Sequence, residues 1–192
     1  MHFLQLQDIR KLVLLVLSQK NCMPIKSDDW SARKPSTPYG ELPVIEIEGE
    51  GVLAQSNAIL GLIGKRYDLL PQDDFKAAQH YGILSAVEDL SMRISHTISI
   101  EDDAEKKKSR EKLADGYMKH WAANMEKQIQ GPYVARDRIS VADIKLFVML
   151  SWVRQGILDH IPSNYFDGYP KLNALYEAVS AHPKIIEWYK NK

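Results

Sequence analysis

The chain has 192 residues, 45% of them hydrophobic, and its 25 basic and 25 acidic residues give a formal net charge of zero. That length accommodates one large domain or two small ones, and the balanced charge excludes nucleic acid as the main partner and an electrostatic membrane anchor, since both need a basic surface. The single cysteine, Cys22, cannot form an internal disulfide, which fits a reducing compartment.

The apolar run Leu12–Leu17 is far short of the about 20 residues that a membrane-spanning helix needs. No signal peptide is apparent, and a cytoplasmic protein is expected. Asp8 to Gln19 reads as a helix with Asp8 as N-cap and Ile9, Leu12, Val13 and Val16 on one face. Asn21 and Pro24 end it. Ser27 to Pro38 is polar and holds two prolines and a tryptophan, so it reads as a loop or short helix. Leu42 to Glu48 alternates like a strand, Glu48-Gly49-Glu50-Gly51 is a turn, and Val52-Leu53-Ala54 is a second strand of a hairpin. Ser56 starts a helix in which Ala58, Ile59, Leu62 and Ile63 recur at helical spacing. This compact α/β unit closes near Leu70-Pro71.

Everything after it reads as helical. Asp73 to Ile98 is a long amphipathic helix, and Glu101 to Lys108 is a solvated loop or helix start. Lys112 to Ile129 is a second long helix, broken by Gly131-Pro132. Val141 to Gln155 is the most apolar and should form the core helix. Leu172 to Ser180 and Pro183 to Tyr189 close the chain. An α/β half is therefore followed by an all-helical half, with a short connector around Tyr67 to Asp74.

The segment from Gly40 to Leu60 carries the chemistry. A proline at the mouth of a strand removes one ladder hydrogen bond, and Pro43 is best explained by special geometry such as a cis bond. Leu42 would then offer its backbone N–H and C=O to an extended, peptide-like ligand at the sheet edge. Ser56 follows at a strand-to-helix turn. Its hydroxyl and the helix N-terminus make an anion site suited to a carboxylate. The plain alternative is a trans strand start with Ser56 as an ordinary N-cap. The two features together at this spacing favour a ligand site.

Trp30, Lys34, Pro38-Tyr39-Gly40, Leu42-Pro43-Val44 and Gln55-Ser56-Asn57-Ala58-Ile59-Leu60 resemble the glutathione-binding half of cytosolic glutathione transferases, with the sigma-like group the best match. Ser140-Val141-Ala142-Asp143 resembles the N-capping box of that family's helical half, and Ala181-His182-Pro183-Lys184-Ile185 with Trp188-Tyr189 its C-terminal helix. The resemblance runs from about Ile9 onward. It implies a thioredoxin-like domain over residues 1–71, with a shortened first strand, and an all-α domain over 74–192. It also implies a homodimer and a detoxifying transferase that joins glutathione, its co-substrate, to small hydrophobic electrophiles. The alternative is a catalytically weak or inactive relative that binds glutathione or serves a structural role.

By the same resemblance, Gln55 and Ser56 would hold the γ-glutamyl carboxylate and amine, and Asp89 would reach that amine across the dimer. Leu42, beside a cis-Pro43, would pair with the cysteinyl backbone. Trp30 and Lys34 would contact the glycyl end. Glu41 stands where the family has glutamine, and a carboxylate cannot donate the corresponding hydrogen bond. Taken singly, Lys34 reads as a solvated lysine, Trp30 as core and Glu88-Asp89 as a solvated helix face. Cys22 reads as a small buried hydrophobe near a strand. The six histidines show no ligand spacing, so no metal site is expected.

The thiolate-stabilising hydroxyl that the resemblance implies would fall ahead of Met1, and Met1 to Gln7 contains no Tyr, Ser, Thr or Cys. The catalytic group is therefore unassigned. Three explanations stand open: a shortened product, a reduced first strand over His2 to Leu6 without the catalytic loop, or poor stabilisation of the thiolate by Gln5 or a backbone N–H. Since losing a sheet strand would orphan its neighbours' backbone groups, Phe3 to Leu6 is expected to enter the sheet.

Overall fold

The computed structural model describes residues 22–24 and 30–190, without the side chains of 22–24 and of residue 188. The strand expected at Phe3 to Leu6 and the helix expected at Asp8 to Gln19 lie outside the described residues, as does the Cys22 side chain. The chain divides into two compact units, Met1–Pro71 and Gln72–Lys192.

In the first unit, strands β1 (Cys22–Pro24), β2 (Val44–Ile47) and β3 (Gly51–Ala54) form an antiparallel sheet in the order β1-β2-β3. Helix α1 (Trp30–Arg33) runs into a 3-10 turn, Lys34–Ser36. β2 starts at Val44 rather than at Leu42, because Pro43 lacks the N–H that a ladder residue needs. Val44, Ile45 and Ile47 are all buried. Two adjacent buried residues mean that β2 is covered on both faces, so its alternation is only partial. The hairpin turn needs Gly49 at φ 78°, and the Glu50 N–H donates to the Ile47 carbonyl at 3.0 Å.

Helix α2 (Ser56–Arg66) buries Ile59, Leu60 and Ile63. Burying each contributes about 1.5–3 kcal/mol. The helix ends in a left-handed residue, Asp68 at φ 58°, and the Leu69 N–H returns to the Gly64 carbonyl at 2.8 Å. That bond satisfies a carbonyl the last turn would otherwise leave bare.

The second unit is helical. α3 (Asp74–Ile98) is capped by Asp73, whose side chain accepts from the Lys76 N–H at 2.8 Å. α4 (Asp103–Leu113) is capped in the same way by Asp102. A π-helical turn, Ala114–Met118, joins α4 to α5 (Lys119–Gln128). Of the two readings of the charged stretch after Glu101, the helix start holds, from Asp103, and residues 103–128 form one helical run. The cap at Asp102 and favourable helix formers outweigh the lack of apolar residues there.

α6 (Val141–Arg154) is the core helix, buried at nearly every position. α7 (Pro170–Ser180) and α8 (Pro183–Lys190) complete the unit. The buried Arg110 ties α4 to the end of α3 by donating to Thr97 Oγ1 at 3.0 Å, and to the Asp159 carbonyl at 2.6 Å. Among the described residues no helix is long and apolar enough to cross a membrane. Among the described residues, the architecture is an α/β unit followed by an all-α unit.

Candidate functional site

In the first unit the hairpin gathers the candidate residues. Val44 pairs with Ala54. Counting on by two places sets Pro43 level with Gln55 and Leu42 level with Ser56. Trp30 and Leu42, both half-buried, pack on the cluster formed by Val44 and Ala54. The Leu42–Pro43 peptide bond is cis. Leu42 lies beyond the paired residues, so its backbone N–H and C=O are outside the ladder.

The turn into α2 differs in detail from an ordinary serine cap. Ser56 is the first helical residue, and the cap position belongs to Gln55, whose side chain makes no capping hydrogen bond. Gln55 sits at φ 75°, ψ 122°. A residue with a Cβ adopts that conformation at a cost of about 1–3 kcal/mol, and such strain collects at ligand sites. The first intrahelical bond runs from the Ile59 N–H to the Gln55 carbonyl at 3.0 Å. The Ser56 N–H lies ahead of it and opens from the helix N-terminus, where the helix dipole favours an anion.

Lys34 is exposed in the 3-10 turn, and its carbonyl accepts from Thr37 Oγ1 at 2.8 Å. Its Cε lies 3.6 Å from where a Cβ on Gly40 would stand, so the lysine stem passes along the backbone just before Glu41. Glu41 is exposed. Trp30, Lys34, Leu42, Pro43, Gln55 and Ser56 thus come from three short elements joined through one hairpin. They offer a cation, two unpaired strand-end groups and a helix N-terminus, which suits an extended ligand with a carboxylate at each end.

Asp89 belongs to the helical unit and is exposed on α3. Its neighbour Glu88 is not simply solvated: it accepts from Lys145 Nζ at 2.6 Å. Lys145, only 5% exposed, was not singled out from sequence. The available signal was a lone lysine inside the apolar run Val141 to Val153. Burial pulls its ammonium below the usual lysine range, and Glu88 partly offsets this.

The Ser140 and Asp143 pair forms at the head of α6. The Asp143 carboxylate accepts from the Ser140 N–H at 2.8 Å, the Ser140 hydroxyl at 2.6 Å and the Val134 N–H at 2.7 Å. Burial raises its pKa against those three bonds. The role is structural. A groove of about 400 Å³ in the same unit is lined by Gly82, Ile83, Ala86, Trp121 and Met125 among others, and none of the candidate site residues lines it. Among the described residues no cluster of His, Cys, Asp and Glu could hold a metal ion.

Known proteins resemble the chain in family and fold. Residues 88–192 match the family model "Glutathione S-transferase, C-terminal domain". The chain is 30% identical to glutathione S-transferase P 1 of Xenopus laevis over 172 residues, which is 87% of this chain and 78% of that protein. It is 25% identical to probable glutathione S-transferase 7 of Caenorhabditis elegans, over 88% of this chain and 82% of that one. Among solved structures, prostaglandin synthase D of Nilaparvata lugens superposes with a TM-score of 0.77 at 26% identity, covering 97% of this chain and 92% of that one.

Proposed function

The chain belongs to the glutathione S-transferase family, and from that premise we propose that it binds glutathione at the Gln55-Ser56 turn and conjugates it to small hydrophobic electrophiles. The carrying observation is the strained Gln55 backbone at the head of α2, level with the unpaired Leu42 and Pro43 across the hairpin. Gln55 and Ser56 hold the γ-glutamyl carboxylate and amine at the helix N-terminus, with Asp89 of a second copy completing the amine contact in a homodimer. Leu42 pairs with the cysteinyl backbone beside Pro43. Trp30 and Lys34 receive the glycyl end, where the ammonium of Lys34 meets the carboxylate. Glu41 borders the peptide, but as a carboxylate it accepts hydrogen bonds and donates none.

Held this way, glutathione presents its sulfur as the nucleophile once the thiol proton has left. With an aromatic halide, the sulfur–carbon bond forms, the halide departs with its electron pair, and the thiol proton goes to solvent. The chain's described residues contribute by binding and orienting the peptide, which converts a bimolecular encounter into a positioned one. The cytoplasm, with its reduced thiols, is the compartment this reaction needs.

Retention on immobilised glutathione, together with turnover of a generic aromatic halide, tests the reading. The parent protein should be retained and should conjugate, and Ser56→Ala should bind glutathione at least about tenfold more weakly, as expected for loss of a hydrogen bond to a charged group. Failure of the parent to bind, or Ser56→Ala binding as the parent does, would sink the site assignment. Retention without turnover would sink the conjugation step alone.

A further inference from the structure

Helix α3 carries an unusual set of contacts on the turn just before Asp89. In a regular helix the Leu84 carbonyl accepts from the N–H four residues on, and so does the Ala86 carbonyl. Here each of these carbonyls also receives a side-chain donor from another helix. Lys145 Nζ, on α6, lies 3.1 Å from the Leu84 carbonyl and 2.6 Å from Glu88 Oε2. Trp121 Nε1, on α5, lies 2.8 Å from the Ala86 carbonyl. The turn 84–88 is therefore held at three acceptors by two helices. One turn later, the Arg93 guanidinium stacks on the Tyr117 ring at 4.0 Å.

Stability alone does not explain the lysine. Taking an ammonium out of water is costly, and well-packed apolar side chains in place of a buried ion pair are often as stable or more so. The best-attested use of such a pair is to fix register. Register matters on this helix. Leu84, Val87 and Leu90 are 0%, 1% and 0% exposed, whereas Ser85, Asp89 and Met92 share the open face. A small rotation of α3 would carry Asp89 away from any ligand it serves.

We propose that Lys145 and Trp121 are positioning residues for Asp89: they lock the rotation and height of α3 so that the Asp89 carboxylate is presented in one place to the ligand amine. This rests on the glutathione reading of Asp89 given above. Neither residue touches glutathione. They act through Leu84, Ala86 and Glu88, and the helix transmits the constraint because its turns are rigid over so short a distance.

A double-mutant cycle tests it. Glutathione dissociation constants are measured calorimetrically for the parent, Lys145→Met, Asp89→Ala and the combination, with the melting temperature of each. Lys145→Met should weaken binding about three- to tenfold, the scale of effects passed through packed neighbours. In the Asp89→Ala background the same substitution should change affinity less than about twofold, because independent sites add and coupled ones do not. Trp121→Phe, which keeps the ring packing and loses the donor, should behave likewise. If Lys145→Met does not fold, the pair replacement Lys145→Met with Glu88→Leu takes its place. It should melt near the parent and still bind glutathione more weakly. Effects that persist undiminished in the Asp89→Ala background overturn the positioning role while leaving the glutathione site intact. A parent that does not bind glutathione, or Asp89→Ala binding as the parent does, overturns the reading on which the proposal rests.

Discussion

Gln55 holds a backbone conformation that nothing in its side chain repays, since it makes no capping hydrogen bond. Sequence shows a Gln-Ser dipeptide between a strand and a helix, and from that the turn and the helix start at Ser56 are legible. The φ of 75° is not, because it is imposed by the hairpin on one side and by burial of Ile59, Leu60 and Ile63 on the other. Lys145 shows the same limit from another direction: its oddity is visible in the apolar run, but its partners on α3 lie far away in sequence. A different residue, His182, yields a pH prediction. Its Nδ1 is buried with no hydrogen-bond partner, and burial, helped by Lys184, lowers its pKa below the ordinary histidine value of 6.5. The unfolded chain therefore takes up a proton first as the pH falls below that value, and the folded state loses stability there until its own lower pKa is passed. Urea midpoints at pH 7.5 and pH 5.5, roughly spanning the histidine reference value, should fall less for His182→Gln than for the parent. Equal falls would remove His182 as a source of the acid sensitivity.

Among the elements, the loop that enters α6 bears the most consequence. Asp143 accepts three hydrogen bonds, two of them from the backbone of Val134 and Ser140. Asp143→Ala leaves those buried donors bare, at about 1–3 kcal/mol each, so the loss of stability should exceed the about 1 kcal/mol expected for a plain cap deletion such as Ser140→Ala. Gly131 opens the same loop. A Cβ there would stand 2.7 Å from the Arg136 carbonyl oxygen, a backbone atom that cannot swing aside. Gly131→Ala should cost about 1–3 kcal/mol, and in combination with Asp143→Ala it should cost less than the sum, because both loosen one loop. Denaturant titrations of the four proteins check this. The sequence showed the Ser-x-x-Asp box and the Gly-Pro break as local patterns. It did not show that residues 103–128 form one helical run, because a π-helical turn at Ala114–Met118 shifts the apolar phase and hides the continuity.

For the whole molecule, the order of α/β and helical halves was legible because the last strand pattern ends at Ala54 and every later apolar segment carries helical spacing. The partition of stability was not, because it depends on which side chains meet. Most of the described core lies in the helical unit, from Ala77 to Ile185. Residues 72–192 expressed alone should therefore keep a helical far-ultraviolet spectrum and unfold cooperatively in urea; a non-cooperative melt would show that this core needs the other unit. The tryptophans are divided in the same way. Trp121 and Trp152 are 6% and 8% exposed within the helical unit, Trp188 follows near the chain's end, and Trp30 alone belongs to the first unit. Trp30 is half-buried on the Val44 and Ala54 cluster, at the head of α1, which runs into the 3-10 turn that carries Lys34. The glutathione site proposed above would give the protein its own optical probe: under excitation at about the red edge of indole absorption, desolvation of an indole beside an arriving peptide shifts emission to the blue, as its polar tip leaves water. Titration with glutathione should move the emission of the parent and leave Trp30→Phe dark to the event, so that a single fluorophore reads occupancy of the site without label, product or turnover.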